Sequence, residues 1–273
     1  MTRLGRELLL RARPPGDRRG DERGRCAVCG QETTFAFNSW VLPRELIEDL
    51  ENPSLIAAFA RRESLFCRRC GSNLRVRRIA ETLLGLYAES ASSLAELVRE
   101  PRFGELELAE LNAMGPLHPV LATHPRLTYA EYPDEDLRRL SYPDGSFDLL
   151  LTSDTLEHVP DPRRALGESR RVLRPGGRHV FTVPLVPSRR QTVVRARDEP
   201  GGTVHLVRPQ HHGRGSGIFA LLTRKHDDLL AYTDFALDLL DELRAAGFDP
   251  EARFLGEADP DSDLGIVLSA RAV

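Results

Sequence analysis

The 273-residue chain predicts an α/β fold, with a mainly parallel sheet carrying one antiparallel edge strand over residues 103–273 and a small cysteine-bearing module ahead of it. Three observations carry that expectation. After Pro101, short strand-like runs alternate with helical ones, the pattern of a parallel sheet whose strands are joined by helices. The run FDLLLTS (147–153) is continuously apolar at its centre, as suits a strand covered on both faces. All four cysteines fall upstream of the sheet as two CxxC pairs, Cys26/Cys29 and Cys67/Cys70.

At 41% hydrophobic and 29% charged residues, the chain can fill one large α/β core with a small appendage. Its net charge of −3 gives no global case for nucleic acid or an anionic membrane. No apolar run is long enough to span a bilayer, and Leu8–Leu10 is too short for a signal peptide, so a cytoplasmic protein is expected. In such a reducing compartment paired cysteines point to metal or redox chemistry rather than disulfides.

Element by element, residues 1–25 hold eight Arg against four acidic residues and predict a flexible basic arm. Residues 26–78 form the cysteine module, with a helix starting at Pro43 and presenting Leu46, Ile47 and Leu50. Residues 79–102 read as a linker of two helices. Beyond it, strands are expected at 105–111, 126–132, 147–153, 178–185, 251–257 and 264–273. Helices are expected at 163–174, closed by the turn Arg174 to Gly177, and at 234–246, closed by Gly247. The last helix and the two strands after it make a hairpin edge containing the antiparallel strand.

Each CxxC pair offers two thiolates from one tight turn and is followed by a glycine, Gly30 or Gly71. Two such knuckles close a tetrahedral four-cysteine zinc site, structural because no further ligand or open position is evident. Free buried thiols or a redox pair are the alternatives. Residues 61–78 hold seven Arg and one acid, beside Phe66 and not far from Trp40. That cluster predicts either a nucleic-acid or phosphate patch, or arginines packed against the acidic remainder of the chain, and the second reading is preferred.

The stretch LSYPDGSFDLLLTSDTLEHVPDPRRALGESRRVLRPGGRHVFTVPL (140–185) resembles the central half of class I S-adenosylmethionine-dependent methyltransferases of the type 11 group. CGSNLRVRR (70–78) resembles zinc modules preceding some natural-product and sugar methyltransferases. The resemblance implies a Rossmann-like methyltransferase sheet, S-adenosylmethionine, and methyl transfer to a small-molecule acceptor of the sugar or natural-product type. It makes Glu110 the acid ending the first strand. Asn112, Met114 and Pro116 stand where the family has glycines, and Gly115 is out of register; Asn112 tolerates the left-handed backbone such a loop needs. Glu131 matches the ribose acid, and Asp136 with Leu137 the adenine side. Only four residues separate Glu131 from Asp136, so a helix and a strand of the family pattern are missing. Ser153 and Asp154 end a strand at the ligand edge. His158, in the EHV turn, is the expected base or substrate-orienting group, or else it caps the turn before Val159-Pro160. His211 and His212, near His205, are expected to meet the acceptor, and Arg189, Arg190 and Arg195 an anionic substrate. Nucleic-acid binding is not expected. A non-catalytic relative of the fold and an RNA methyltransferase remain alternatives.

Overall fold

The computed structural model describes residues 22–37, 53–211, 229–253 and 265–273. The helix expected at Pro43, His212 and most of the basic arm lie outside them. The arm's last residues correct the expectation of flexibility: β1 (Glu22–Arg25) pairs antiparallel with β2 (Glu32–Phe37), and β3 (Leu65–Cys67) extends the sheet. ERGR carries no apolar signal; it is held by backbone pairing and by ion pairs of Glu22 with Arg61 and Arg25 with Glu96.

Helix α1 (Pro53–Ser64) leads into β3, and α2 (Leu74–Tyr87) follows the second knuckle. Asn73 starts α2, its side chain accepting the Val76 N–H at 3.1 Å. The short α3 (Leu94–Leu97) and α4 (Pro101–Gly104) come next. Because α2 runs through Arg78, the expected division there between module and linker falls inside a helix.

The main sheet begins with β4 (Leu108–Leu111), followed by a 3-10 turn (Gly115–Leu117), α5 (His118–Leu121) and β5 (Leu127–Ala130). Then come β6 (Phe147–Ser153), α6 (Pro162–Val172) and β7 (Leu173–Thr182). Short strands β8 (Val193–Val194), β9 (Ala196–Glu199), β10 (Gly202–His205) and β11 (Thr233–Asp234) form two small paired units. The chain returns through α7 (Leu239–Ala245), β12 (Phe248–Arg253) and β13 (Val267–Ala272).

The six-stranded sheet has the order β12-β13-β7-β6-β4-β5. Strands β5, β4, β6 and β7 are parallel, and β13 is antiparallel to both its neighbours. This is the Rossmann-like methyltransferase arrangement with its hairpin edge, the antiparallel strand lying one place in from the edge. Among the described residues no strand pairs with the outer side of β5, and residues 131–146 run directly to β6. Residues 131–146 thus hold no sheet strand, in keeping with the short Glu131–Asp136 spacing.

Alternate side chains of β6 explain its apolar run. Leu150 joins one core with Leu166 and Val172 of α6 and Leu239 and Leu243 of α7. Leu149 and Leu151 join the other with Ile79 and Leu83 of α2, Leu97 and Leu121. Cys26, Val28 and Cys67 belong to that second core, so the knuckles are continuous with one face of the sheet.

Helix α6 ends at Val172, before the expected turn. Leu173 already pairs with Phe147, pairing resumes at Arg178 with Leu149, and 174–177 bulge between them. The bulge keeps the turn chemistry inside the strand: a Cβ on Gly177 would meet the Arg174 and Asp148 carbonyl oxygens at 3.0 and 3.1 Å. Helix α7 starts at Leu239, later than expected, because Thr233–Asp234 is already committed to pairing with β8. Among the described residues no helix is long and apolar enough to cross a membrane.

Candidate functional site

Parallel strands β4, β5 and β6 end at one edge, so the loops after them converge. Between them lies a cleft of about 450 Å³. The loop after β4 contributes Asn112, that after β5 Glu131, Tyr132, Glu135, Asp136, Leu137 and Arg138, and the end of β6 with its following loop Ser153, Asp154, Thr155 and His158. Asp198 on β9, with Leu229 and Tyr232, completes the wall. Of the expected cofactor residues, Asn112, Glu131, Asp136, Leu137, Ser153 and Asp154 thus share one cleft, together with His158.

Asn112 has the left-handed backbone its place suggested, with φ +63°. Its side-chain oxygen accepts the Tyr132 N–H at 3.0 Å and its N–H reaches the Ala130 carbonyl at 2.9 Å, tying two cleft loops together. Glu131 accepts a hydrogen bond from the Tyr129 hydroxyl. Arg138 grips Asp136 through Nε and Nη2, at 3.0 and 2.7 Å, and holds its carboxyl below the usual range.

Glu110, Gly115 and His211 stand outside the cleft lining. Glu110 is fully buried under the loop, accepting the Met114 N–H at 2.9 Å and lying 2.7 Å from His118 Nδ1. Gly115, with φ +55°, opens the 3-10 turn beyond it. His211 bridges to Leu230 in an exposed position. Arg195 is buried against Asp234 at 2.6 Å and Arg189 approaches the same carboxylate at 3.5 Å, so neither faces the cleft.

At the end of β6, Asp154 has a left-handed backbone, φ +46°. Arg62 of α1, only 2% exposed, donates from both terminal nitrogens to its two oxygens at 2.7 and 2.6 Å. Arg75 Nε lies 3.2 Å away, and Thr182 donates at 2.8 Å. Burial pushes the Asp154 carboxyl up, but Arg62 and Arg75 overcome it and hold the carboxyl well below its usual range. Glu157 is 1% exposed, and neither carboxylate oxygen has a hydrogen-bond partner. Burial, and then the Asp154 charge, push its carboxyl well above the ordinary value, favouring the neutral acid. His158 Nδ1 lies 3.0 Å from the Leu230 carbonyl. Because a carbonyl only accepts, Nδ1 carries the proton and Nε2 is the basic nitrogen.

The four cysteine sulfurs lie within 4.8 Å of one another. Both knuckles fold alike: Gly30 and Gly71, with φ +72° and +75°, donate to the Cys26 and Cys67 carbonyls at 2.8 and 2.9 Å. Cys26 and Cys70 sulfurs are 3.8 Å apart, too far for a disulfide and close to the separation of about 3.8 Å implied by zinc–sulfur bonds of about 2.3 Å in a tetrahedron. The Cys70 hydrogen bond outweighs burial and lowers the Cys26 thiol, while Cys70 itself is pushed up. The donor set therefore fits a zinc ion.

The arginines of 61–78 are largely committed within the fold. Arg62 and Arg75 serve Asp154; Arg77 donates to the Leu65 and Ser72 carbonyls and lies 4.2 Å over the Phe35 ring; Arg78 pairs with Glu81. Sequence reasoning did not connect Arg62 and Arg75 to the cleft. One signal was present: each lies five residues outside the second knuckle, before Cys67 and after Cys70.

Residues 113–181 match the family described as "Methyltransferase domain". Curated relatives match part of the chain. The sarcosine/dimethylglycine N-methyltransferase of Halorhodospira halochloris is 35% identical over 82 residues, 30% of this chain and 26% of that protein. The 27-O-demethylrifamycin SV methyltransferase of Amycolatopsis mediterranei (strain S699) is 34% identical over 90 residues, 30% of this chain and 33% of its own length. The demethylmenaquinone methyltransferase of Clavibacter sepedonicus is 43% identical over 60 residues, 21% and 24% of the two chains. The matches thus span a third or less of these relatives. Among solved structures, an S-adenosylmethionine-dependent methyltransferase from Mesorhizobium loti aligns at 20% identity over 65% of this chain and 97% of its own, with a TM-score of 0.36. A putative methyltransferase from Bacillus halodurans C-125 aligns at 14% identity over 65% and 96%, also with a TM-score of 0.36.

Proposed function

We propose that the chain binds S-adenosylmethionine in the cleft and transfers its methyl group to a small-molecule acceptor of the sugar or natural-product type. The observation that carries this reading is the convergence of Asn112, Glu131, Asp136, Leu137, Ser153, Asp154 and His158 on one cleft at the ends of parallel strands. S-adenosylmethionine supplies an electrophilic methyl on a sulfonium. Glu131 holds the ribose hydroxyls, and Asp136 with Leu137 the adenine. Asn112 fixes the loop crossing the cleft floor, while Glu110 acts from beneath by shaping that loop. His158 takes the acceptor proton at Nε2, or orients the acceptor through it. His211 and His212 remain assigned to the acceptor side, and Gly115 to the flexibility of the cofactor loop.

Cys26, Cys29, Cys67 and Cys70 hold one structural zinc ion. The acceptor is a small molecule rather than nucleic acid, because most arginines of the Arg-rich segment spend their charges inside the fold, with Arg68 and Arg69 exposed, and the protein acts in the cytoplasm. A specific observation favours a second reading, a non-catalytic relative of the fold: Met114 and Pro116 stand where a glycine loop would approach the cofactor.

Calorimetry with S-adenosylmethionine and S-adenosylhomocysteine decides between them. Binding is expected, weakened roughly ten- to hundredfold by the altered loop, since one or two lost contacts cost on the order of 1–3 kcal/mol. No binding of either at millimolar concentration sinks the enzyme reading.

A further inference from the structure

The second knuckle sits between the end of α1 and the start of α2, and each helix delivers one arginine to the end of β6. Arg62 clamps Asp154 from both terminal nitrogens, and Arg75 reaches Asp154 through Nε and the Ser153 hydroxyl through Nη1. Glu63 completes the group, accepting from Arg75 Nε at 2.9 Å and from the Asn73 amide at 3.0 Å. Two guanidiniums thus face two carboxylates, and the group is neutral without Glu157. A buried ion pair is a poor net stabiliser, because desolvation offsets its attraction, but removing one partner leaves an uncompensated buried charge and is strongly destabilising. Here the constrained residues are Ser153 and Asp154, which line the cleft and begin the turn that carries His158. Cys67 and Cys70 set the course of the chain between Arg62 and Arg75.

We infer that Arg62 and Arg75 are positioning residues for the cleft, acting through Asp154 and Ser153, and that the four-cysteine site fixes where they stand. The module is then one wall-support of the cleft rather than an appendage. The inference rests on the S-adenosylmethionine reading only for its affinity readout. Loss of the metal lets α1 and α2 shift relative to each other, frees the 153–158 segment, and weakens binding without touching any residue that meets the nucleoside directly.

The test uses the full chain loaded with zinc, with calorimetry of S-adenosylhomocysteine, zinc content and amide hydrogen exchange of residues 153–158. Arg62→Met, Asp154→Asn and the double variant are compared with wild type, and Arg75→Met serves if Arg62→Met does not fold. Each single variant is expected to weaken affinity tenfold or more while keeping its zinc, with the double variant no weaker than the worse single. Stripping zinc from the wild type with a chelator is expected to lower affinity similarly, to speed exchange at 153–158, and to cause no further loss in Arg62→Met. Unchanged affinity and exchange in Arg62→Met and Arg75→Met, or additive losses in the double variant, overturn the inference. A zinc-loaded wild type that binds no S-adenosylhomocysteine overturns the functional reading instead. The exchange measurement then still decides whether the two arginines hold the segment.

Discussion

His158 Nδ1 donates to the carbonyl oxygen of Leu230, 72 residues further along the chain, at 3.0 Å. The bond joins the turn after β6 to the segment that carries Tyr232, whose own N–H donates to the Glu157 carbonyl at 2.8 Å, and sets the imidazole tautomer with Nε2 as the basic nitrogen.

From this geometry, His158→Ala is expected to lower kcat by about 10²–10⁴, the range for removal of a general base. S-adenosylhomocysteine affinity should change little. Steady-state kinetics beside calorimetry reads both quantities. Equal loss of affinity and melting temperature with no separate effect on kcat would return His158 to the role of a turn cap.

Zinc should be present at about one ion per chain by elemental analysis, and Cys29→Ser or Cys67→Ser should lose it. Cys26 and Cys67 share a core with Ile79, Leu83 and Leu97, so metal removal is expected to lower the melting temperature of the whole unit. Metal-free protein with four reactive thiols and unchanged melting would falsify the assignment.

Legibility followed the range of the interactions. The 140–185 stretch was readable because strand, cap and turn signals are local: Leu149–Leu151 alternate between two cores, and Asp161 caps α6 by accepting the Arg164 N–H at 3.0 Å. Asn112 was readable for the same reason, since its backbone preference belongs to one residue. β1 was not, because ERGR is held by pairing with β2 rather than by apolar contacts. Nor was the Arg62–Asp154 clamp, whose partners lie 92 residues apart and leave no periodic trace. The expected division at Arg78 falls inside α2, whose Val76, Ile79 and Leu83 share one core with Cys26, Cys67, Leu149 and Leu151, and helical periodicity does not say what each turn packs against.

Glu110 separates two ways of serving a cofactor. It is buried, accepts the Met114 N–H at 2.9 Å and sits outside the cleft lining. Glu110→Ala leaves that N–H unsatisfied, and a loss of about 1–3 kcal/mol in stability is expected, with binding lost or severely weakened. Glu110→Gln keeps an acceptor and should retain most of the affinity for S-adenosylhomocysteine. If Gln is as damaging to affinity as Ala at unchanged melting temperature, the carboxylate charge acts on the ligand directly.

Glu157 gives a pH signature with a definite sign. Its carboxyl is buried, has no hydrogen-bond partner although His158 Nε2 lies 3.7 Å from Oε1, and is pushed well above the ordinary value by burial and then by Asp154. Below about pH 4.3, the ordinary glutamate value, folded and unfolded chains both hold the proton. As pH rises past that value the unfolded chain ionises while the folded chain does not, so the unfolded state binds fewer protons and stability falls. Asp154 has the opposite shift and is already ionised over this range, so it adds no slope at neutral pH. Glu157→Gln removes the titration but keeps the shape. The variant should therefore melt a few degrees above wild type near pH 8, with the gap narrowing toward pH 5. Scanning calorimetry of the zinc-loaded proteins across that range measures it. A Gln variant less stable than wild type by the same amount at every pH would mean that Glu157 is ionised and paired in the folded protein.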